Sequence, residues 1–272
     1  MPDAVPASPA TPPPSFPGLV ARLRAAGCVF AEDEAELLRA TARTSAELAA
    51  MAHRRMAGLP LEHVLGWAGF CGLRMRVGPG VFVPRRRSEF LVHRAARLTR
   101  PGAVVVDLCC GSGALGAALA ACAGPVELHA ADIDPVAVDC ARANTAPVGG
   151  RVHRGDLFTA LPPELRGRIG VLLANVPYVP TQEVGLLPPE ARDHEPREAL
   201  DGGADGLDVL RRVAAEARHW LAPGGSLLSE TGERQVPAAL HALTGNGLRA
   251  RTEHCPERSA TVVIGTRPAN GA

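Results

Sequence analysis

Asp107-Leu108-Cys109-Cys110-Gly111-Ser112-Gly113-Ala114-Leu115-Gly116 is the stretch that decides the fold. It joins an apolar run, Ala103 to Leu108, to a helical stretch, Leu115 to Cys122, through a glycine-rich turn. A short β-branched run closed by glycines and followed at once by a helix is the opening unit of a parallel sheet. Outward from this unit the alternation repeats. Val126 to Ala131, Val171 to Ala174 and Ser226 to Ser229 read as buried strands, with helices at Pro135 to Asn144 and Leu207 to Leu221. In the latter helix Leu207, Leu210, Val213, Ala214, Ala217 and Leu221 keep one face, and Pro223-Gly224-Gly225 is expected to stop it. The last two runs, Leu248 to Glu253 and Thr261 to Thr266, are separated by a loop too short for a crossover, so they should pair antiparallel. The expectation is an α/β protein with a doubly wound, mostly parallel sheet ending in an antiparallel hairpin.

Ahead of this domain (95–272) the sequence divides into three parts. Residues 1–15 contain Pro12-Pro13-Pro14 and are expected to form a disordered tail. Residues 16–58 carry helical spacing (Val20, Leu23; Leu37, Leu38), and Thr44 with Glu47 forms a capping box before a third helix. A small helical N-terminal domain is expected there. Residues 59–94 read as a hairpin linker, with strand-like pieces at Leu73 to Val77 and Val81 to Val83 around Gly78-Pro79-Gly80.

Composition excludes several classes. With 272 residues, 46% of them hydrophobic, the chain can bury a full core. A net charge of +1 gives no general attraction to nucleic acid, and no direct nucleic-acid binding is expected. All 29 basic side chains are arginine. The seven cysteines (Cys28, Cys71, Cys109, Cys110, Cys122, Cys140, Cys255) form no C-x-x-C pair, so neither a disulfide framework nor zinc is expected. His63, His93, His129, His153 and His194 share no metal-ligand spacing. No run is long enough to span a membrane, and a cytoplasmic monomer is the plain expectation.

Gly111, Gly113 and Gly116 satisfy G-x-G-x-x-G, and Asp132 ends the next strand, which taken alone is compatible with a dinucleotide. Two details point elsewhere. Asp107 stands at the strand end before the glycines, and Leu108-Cys109-Cys110 widens the turn beyond what a pyrophosphate needs. A wide turn leaves room for the methionine part of S-adenosylmethionine, whose carboxylate the amides near Ser112 could meet at the helix start. Asp132 is placed to accept from both ribose hydroxyls, while Asp134 is better placed to cap the helix from Pro135. Asp156 could accept from an adenine amine, and Leu157 offers an apolar wall. Asp107, Asp132 and Asp156 thus end three successive strands, at the sheet edge where ligands bind.

Asn175-Val176-Pro177-Tyr178 closes the fourth strand. An amide or arylamine nitrogen is a poor nucleophile because its lone pair is delocalised. If the Asn175 side-chain oxygen and a neighbouring main-chain carbonyl each accept one N–H, the lone pair is aimed at an incoming methyl group. The positive charge developing on nitrogen is then also favoured. Tyr178 could stack on the planar group, and Pro177 biases Val176 towards an extended backbone.

From Leu61 to Ile264 the chain resembles the HemK/PrmC family of protein-(glutamine-N5) methyltransferases. Leu65-Gly66, Val81 to Arg85, Asp107 to Gly113, Ala131-Asp132, Gly155 to Phe158 and Asn175 to Tyr178 carry the resemblance. So do His194 to Arg197, Asp201-Gly202-Gly203 and Glu230 to Gln235. It implies a class I S-adenosylmethionine-dependent methyltransferase fold with a helical N-terminal domain. It also implies methylation of the glutamine in the Gly-Gly-Gln motif of a peptide chain release factor. By position it puts cofactor contacts on Cys109, Cys110, Gly111, Ser112, Gly113, Asp132, Leu157 and Asn175, and glutamine contacts on Asn175, Val176, Pro177 and Tyr178. The chain departs from the family pattern in four places. Val176 replaces the first proline of Asn-Pro-Pro-Tyr, Cys109 replaces a glycine, and Arg86-Arg87-Ser88 replaces Pro-Glu-Thr. The N-terminal helical region is also short. Val176 and Cys109 keep two alternatives open: an adenine-amine methyltransferase, and a cofactor-binding protein without catalysis. Arg85, Arg86 and Arg87 read as a solvated charged face.

Overall fold

The computed structural model describes residues 15–269, so the expected tail lies outside the described residues apart from Ser15. The chain packs as two compact units divided between Leu65 and Gly66.

The first unit holds α1 (Phe16–Ala25), α2 (Ala31–Thr41), α3 (Ser45–Met56) and α4 (Leu61–Leu65). Leu19, Leu23, Ala35, Leu38, Met51 and Ala52 are buried between them. Thr44 caps α3 by accepting from the Glu47 N–H at 3.1 Å. The return arm differs from a capping box: Glu47 reaches past Thr44 and accepts from the Arg43 N–H at 2.7 Å. A buried ion pair ties α2 to α3. Arg55 Nε donates to Glu34 Oε2 at 2.6 Å, Arg55 Nη2 donates to Glu34 Oε1 at 3.1 Å, and both side chains are buried.

The second unit opens with an antiparallel hairpin, β1 (Trp67–Phe70) and β2 (Leu73–Arg76), followed by α5 (Glu89–Ala96). Phe70 and Met75 are buried in a cluster shared with α5. Val81 to Val83 is not a strand, contrary to the reading of the sequence. Both valines are buried, but the Val83 N–H donates to the Glu195 carboxylate at 3.2 Å instead of to a neighbouring strand. Apolar alternation sets burial; a ladder also needs a paired strand, and Val81 to Val83 pairs with none of the described strands.

The remaining elements are β3 (Val104–Leu108), α6 (Ala114–Ala123), β4 (Glu127–Asp132), α7 (Pro135–Thr145), β5 (Arg151–Arg154) and β6 (Ile169–Ala174). They are followed by α8 (Pro189–His194), α9 (Asp208–Trp220), β7 (Leu221–Glu230), α10 (Val236–Gly245), β8 (Arg249–Cys255) and β9 (Ala260–Thr266). They build a seven-stranded sheet in the order β5-β4-β3-β6-β7-β9-β8, parallel through β7 and antiparallel at β9 and β8. Alternation along β3 separates two layers. Val104, Val106 and Leu108 pack with Leu210, Val213, Ala217 and Trp220 of α9 on one face, and Val105 packs with Leu91 of α5 and Leu119 of α6 on the other. α9 ends at Trp220, before the expected Pro223 stop. Leu221 already pairs with Ile169 in the sheet, and the ladder resumes at Ser226 opposite Val171, so Pro223-Gly224-Gly225 forms an excursion within β7. The chain runs from β3 outward to β5 and then returns to β6 on the other side of β3. The strand order therefore reverses between β3 and β6, and a crevice opens at their C-terminal ends.

The buried α2–α3 pair gives a prediction for the first unit. Arg55→Met should leave the Glu34 carboxylate buried without its guanidinium and destabilise this unit by about 3–5 kcal/mol. Limited proteolysis should then cut within residues 16–65 at a denaturant concentration that leaves the wild type intact.

Candidate active site

The crevice holds a cavity of about 1010 Å³ lined along one side by the ends of β3, β4 and β6. Cys109, Cys110, Gly111, Ser112, Asp132, Asp156, Leu157, Asn175, Val176, Pro177 and Tyr178 all line it. Gly113 does not. At φ +74° it begins α6, and a Cβ there would stand 3.0 Å from the Ala141 Cβ, so this glycine lets α6 approach α7.

The loop after β3 is set by Asp107. Its Oδ2 accepts from the Gly116 N–H at 2.8 Å, and a Cβ on Gly116 would lie 3.1 Å from the same oxygen. Burial pushes the Asp107 carboxyl up to about 8, with the Gly116 N–H opposing the rise. Between these anchors Cys109 sits at φ +53°, in the left-handed region that a side chain occupies only at a cost. The family glycine at this position therefore has a backbone reason, which a letter sequence does not display.

Asp132 faces back into the loop. Its Oδ2 accepts from the Gly111 N–H at 2.8 Å and its Oδ1 from the Asp134 N–H at 3.0 Å, while Asp134 caps α7 through the Val136 N–H at 2.8 Å. Burial raises the Asp132 pKa against the pull of those amides. Asp156 is half-exposed and accepts from Arg212 Nη2 at 2.6 Å.

At the end of β6, the Asn175 Oδ1 is buried and has no hydrogen-bond partner. A buried amide oxygen without a donor costs about 1–3 kcal/mol, so its placement in the cavity wall marks it as an acceptor awaiting a ligand. Val176 is 2% exposed and its side chain joins the core beneath α9. Tyr178 is clamped at both ends. Its hydroxyl donates to Glu230 Oε1 at 2.6 Å and accepts from Arg87 Nη2 at 2.5 Å, and its carbonyl accepts from Gln235 Nε2 at 2.8 Å. Gly202 and Gly206 pack on the same backbone: a Cβ would come within 2.6 Å of the Pro177 carbonyl and 2.3 Å of the Tyr178 carbonyl respectively.

Five site residues carry no role in the sequence reading: Arg85, Arg87, Glu195, Glu230 and Gln235. Of the three arginines, Arg86 is exposed as expected, whereas Arg85 and Arg87 reach buried carboxylates. Arg85 pairs with the buried Glu195 at 2.5 Å, and Arg87 Nε pairs with the buried Glu230 at 2.7 Å. Partners 110 and 143 residues apart leave no local spacing to detect.

Known proteins resemble this chain in sequence and in fold. The family model described as "Methyltransferase small domain" matches residues 73–185. A release factor glutamine methyltransferase of Mycolicibacterium smegmatis is 39% identical over 205 residues, covering 74% of this chain and 72% of the relative. A 4-amino-L-phenylalanine/4-methylamino-L-phenylalanine methyltransferase of Streptomyces pristinaespiralis is 36% identical over 70% of this chain and 68% of its own length. In fold, the chain is similar to a methyltransferase from Pyrococcus furiosus, with a TM-score of 0.56 at 16% identity over 72% of this chain and 90% of that one. Fold and site define a class I S-adenosylmethionine-dependent methyltransferase. Within that class, the chain belongs to the release factor glutamine methyltransferase family.

The cavity suits that cofactor. S-adenosylmethionine carries a sulfonium cation, and the lining is rich in carboxyl groups, with apolar wall from Leu157, Ile133 and Leu115. Among the described residues no helix is long and apolar enough to cross a membrane.

The loop after β3 can be tested at two positions. Cys109→Gly should relieve about 1–2 kcal/mol of left-handed strain and give back about 0.4–1 kcal/mol in chain entropy. The melting temperature should rise by about 2 °C in calorimetry. The second position is Asp107. Because its folded pKa lies near 8 and its unfolded value near 3.8, the folded chain holds a proton that the unfolded chain has released between these values. This contribution to stability is full below pH 3.8 and is lost as pH rises towards 8. Asp107→Asn should flatten denaturation midpoints measured across that window.

Proposed function

We propose that this enzyme transfers a methyl group from S-adenosylmethionine to the side-chain amide nitrogen of a protein glutamine, in the Gly-Gly-Gln motif of a peptide chain release factor. Membership in the family supports the substrate class. The observation that carries the chemistry is the buried, unpartnered Asn175 Oδ1 at the end of β6. A glutamine amide has two N–H donors in one plane. Asn175 Oδ1 takes one and the main-chain carbonyl of Val176 takes the other. The nitrogen lone pair then stands normal to that plane, free on the face opposite the Tyr178 ring, where the methyl group arrives. Fixed acceptors also disperse the positive charge that grows on nitrogen, and they need no reorganisation at the moment of transfer. The replacement of proline by Val176 keeps the main-chain carbonyl.

The Cys109 to Ser112 part of the loop would hold the methionine end of the cofactor, Asp132 the ribose, and Asp156 with Leu157 the adenine. When bound, the cofactor would supply the electrophilic methyl group and be left as a neutral thioether, and the amide nitrogen would give up one of its two protons as the N–C bond forms. Arg212 is already paired with Asp156, so adenine binding shares or displaces that ion pair.

A second reading has its own support. The Streptomyces pristinaespiralis relative acts by name on an arylamine of a free amino acid, and an arylamine presents the same planar, two-donor nitrogen. Labelled methyl transfer separates the two. Purified enzyme should label a release factor and lose that label when the motif glutamine becomes alanine, while 4-amino-L-phenylalanine stays unlabelled; the opposite pattern selects the second reading. With either acceptor, Asn175→Ala should lower kcat by about 100-fold or more.

A further inference from the structure

The residue at the cavity wall that the methyl-transfer chemistry leaves unused is Arg87. It is half-exposed, at 47%, while its partner Glu230 is 3% exposed. Three groups are fixed on the Glu230 carboxylate: Arg87 Nε at 2.7 Å, Tyr178 Oη at 2.6 Å and Ser88 Oγ at 2.6 Å. Arg87 Nη2 is occupied in turn by the Tyr178 hydroxyl, and the guanidinium stands 5.7 Å from the centre of the Tyr178 ring. Nη1 makes no hydrogen bond among the described residues. The result is a planar donor already immobilised beside the ring on which the acceptor group rests. Its rotamer entropy is lost before any ligand arrives.

The ligand chemistry follows from the charge around it. Arg85, Arg87 and Arg212 line the cavity, and each is tied to a carboxylate: Glu195, Glu230 and Asp156. Beyond these pairs, the carboxyl groups of Asp132, Asp134, Glu190 and Glu198 line the same cavity, with Asp107 holding its proton below about pH 8. That balance opposes an anionic acceptor. A carbonyl oxygen offers the same lone pairs without the charge, and a peptide places carbonyls on both sides of a glutamine.

We propose that Arg87 binds the acceptor substrate by donating from Nη1 to a neutral main-chain carbonyl beside the methylated glutamine, with Glu230 as the residue that positions it. This rests on the glutamine reading given above. It assigns recognition to a position where the family pattern has an acid, which could accept but not donate.

The test uses the full chain and a full-length release factor. Arg87→Met, Arg87→Lys and Glu230→Gln are compared with wild type for KM and kcat, with S-adenosylmethionine affinity measured separately by calorimetry. Losing a hydrogen bond from a charged donor corresponds to about 10- to 100-fold. Arg87→Met should raise KM for the release factor by that factor, with kcat and cofactor affinity little changed. Arg87→Lys should recover part of the loss, and Glu230→Gln should raise KM in the same direction. If Arg87→Met lowers kcat at unchanged KM, Arg87 serves only to brace Tyr178 and the proposal is overturned. A loss of cofactor affinity alongside the rise in KM overturns it as well. Inhibition of wild type by benzoate that Arg87→Met abolishes would overturn the neutral-carbonyl assignment. A wild type that labels no release factor sinks the glutamine reading and this inference with it, whereas labelling with an unaltered Arg87→Met sinks only the inference.

Discussion

The hydrogen bond from the Gly116 N–H to the Asp107 carboxyl holds the site together. It closes the first turn of α6 onto the end of β3, with no space between them for a Cβ. Because α6 is fixed there, the five residues between strand and helix must turn sharply, and three of them, Cys109, Gly111 and Gly113, take left-handed backbone angles. The Gly111 N–H and the Asp132 carboxyl then meet at the crevice wall. The cost is a carboxyl held out of water at a pH where it would otherwise be ionised. Strain and desolvation are concentrated in one loop, and the surrounding sheet, buried on both faces, sustains them.

The fold was legible because parallel strands buried on both faces read as continuous apolar runs. Val104 to Leu108 and Ile169 to Ala174 are such runs, and the helices between strands keep their one-sided spacing. Strand-end acids were legible for the same reason: a charged residue after a buried run marks the sheet edge. Val81 to Val83 was misleading because its buried alternation is satisfied by packing and by the Glu195 carboxylate, with no strand beside it. The left-handed angle at Cys109 was beyond reach, since no neighbouring residue announces it.

The wall opposite the cofactor loop was the least legible part. Arg87-Ser88, Tyr178 and Glu230 come from three separate segments of the chain and meet on one buried carboxylate. A run of arginines looks like a solvated surface unless its distant acids are known. Here the acids are almost fully buried, so Arg85 and Arg87 are drawn to them and line the cavity, while Arg86 between them stays exposed. The family resemblance picked out Tyr178 and Glu230 and marked Arg87-Ser88 as a departure, without giving their mutual contacts.

Gly202 and Gly206, packed against the carbonyls of Pro177 and Tyr178, bear on how this enzyme could change its substrate in evolution or in the laboratory. The acceptor segment and the loop beneath it have no slack between them, so a backbone shift in one requires a matching shift in the other. New specificities are therefore accessible by exchanging side chains on a conserved main-chain frame, and loop insertions are not. A valine in place of a proline at position 176 is a substitution of the permitted kind, and libraries that vary positions 87 and 176 while sparing both glycines would explore the same route.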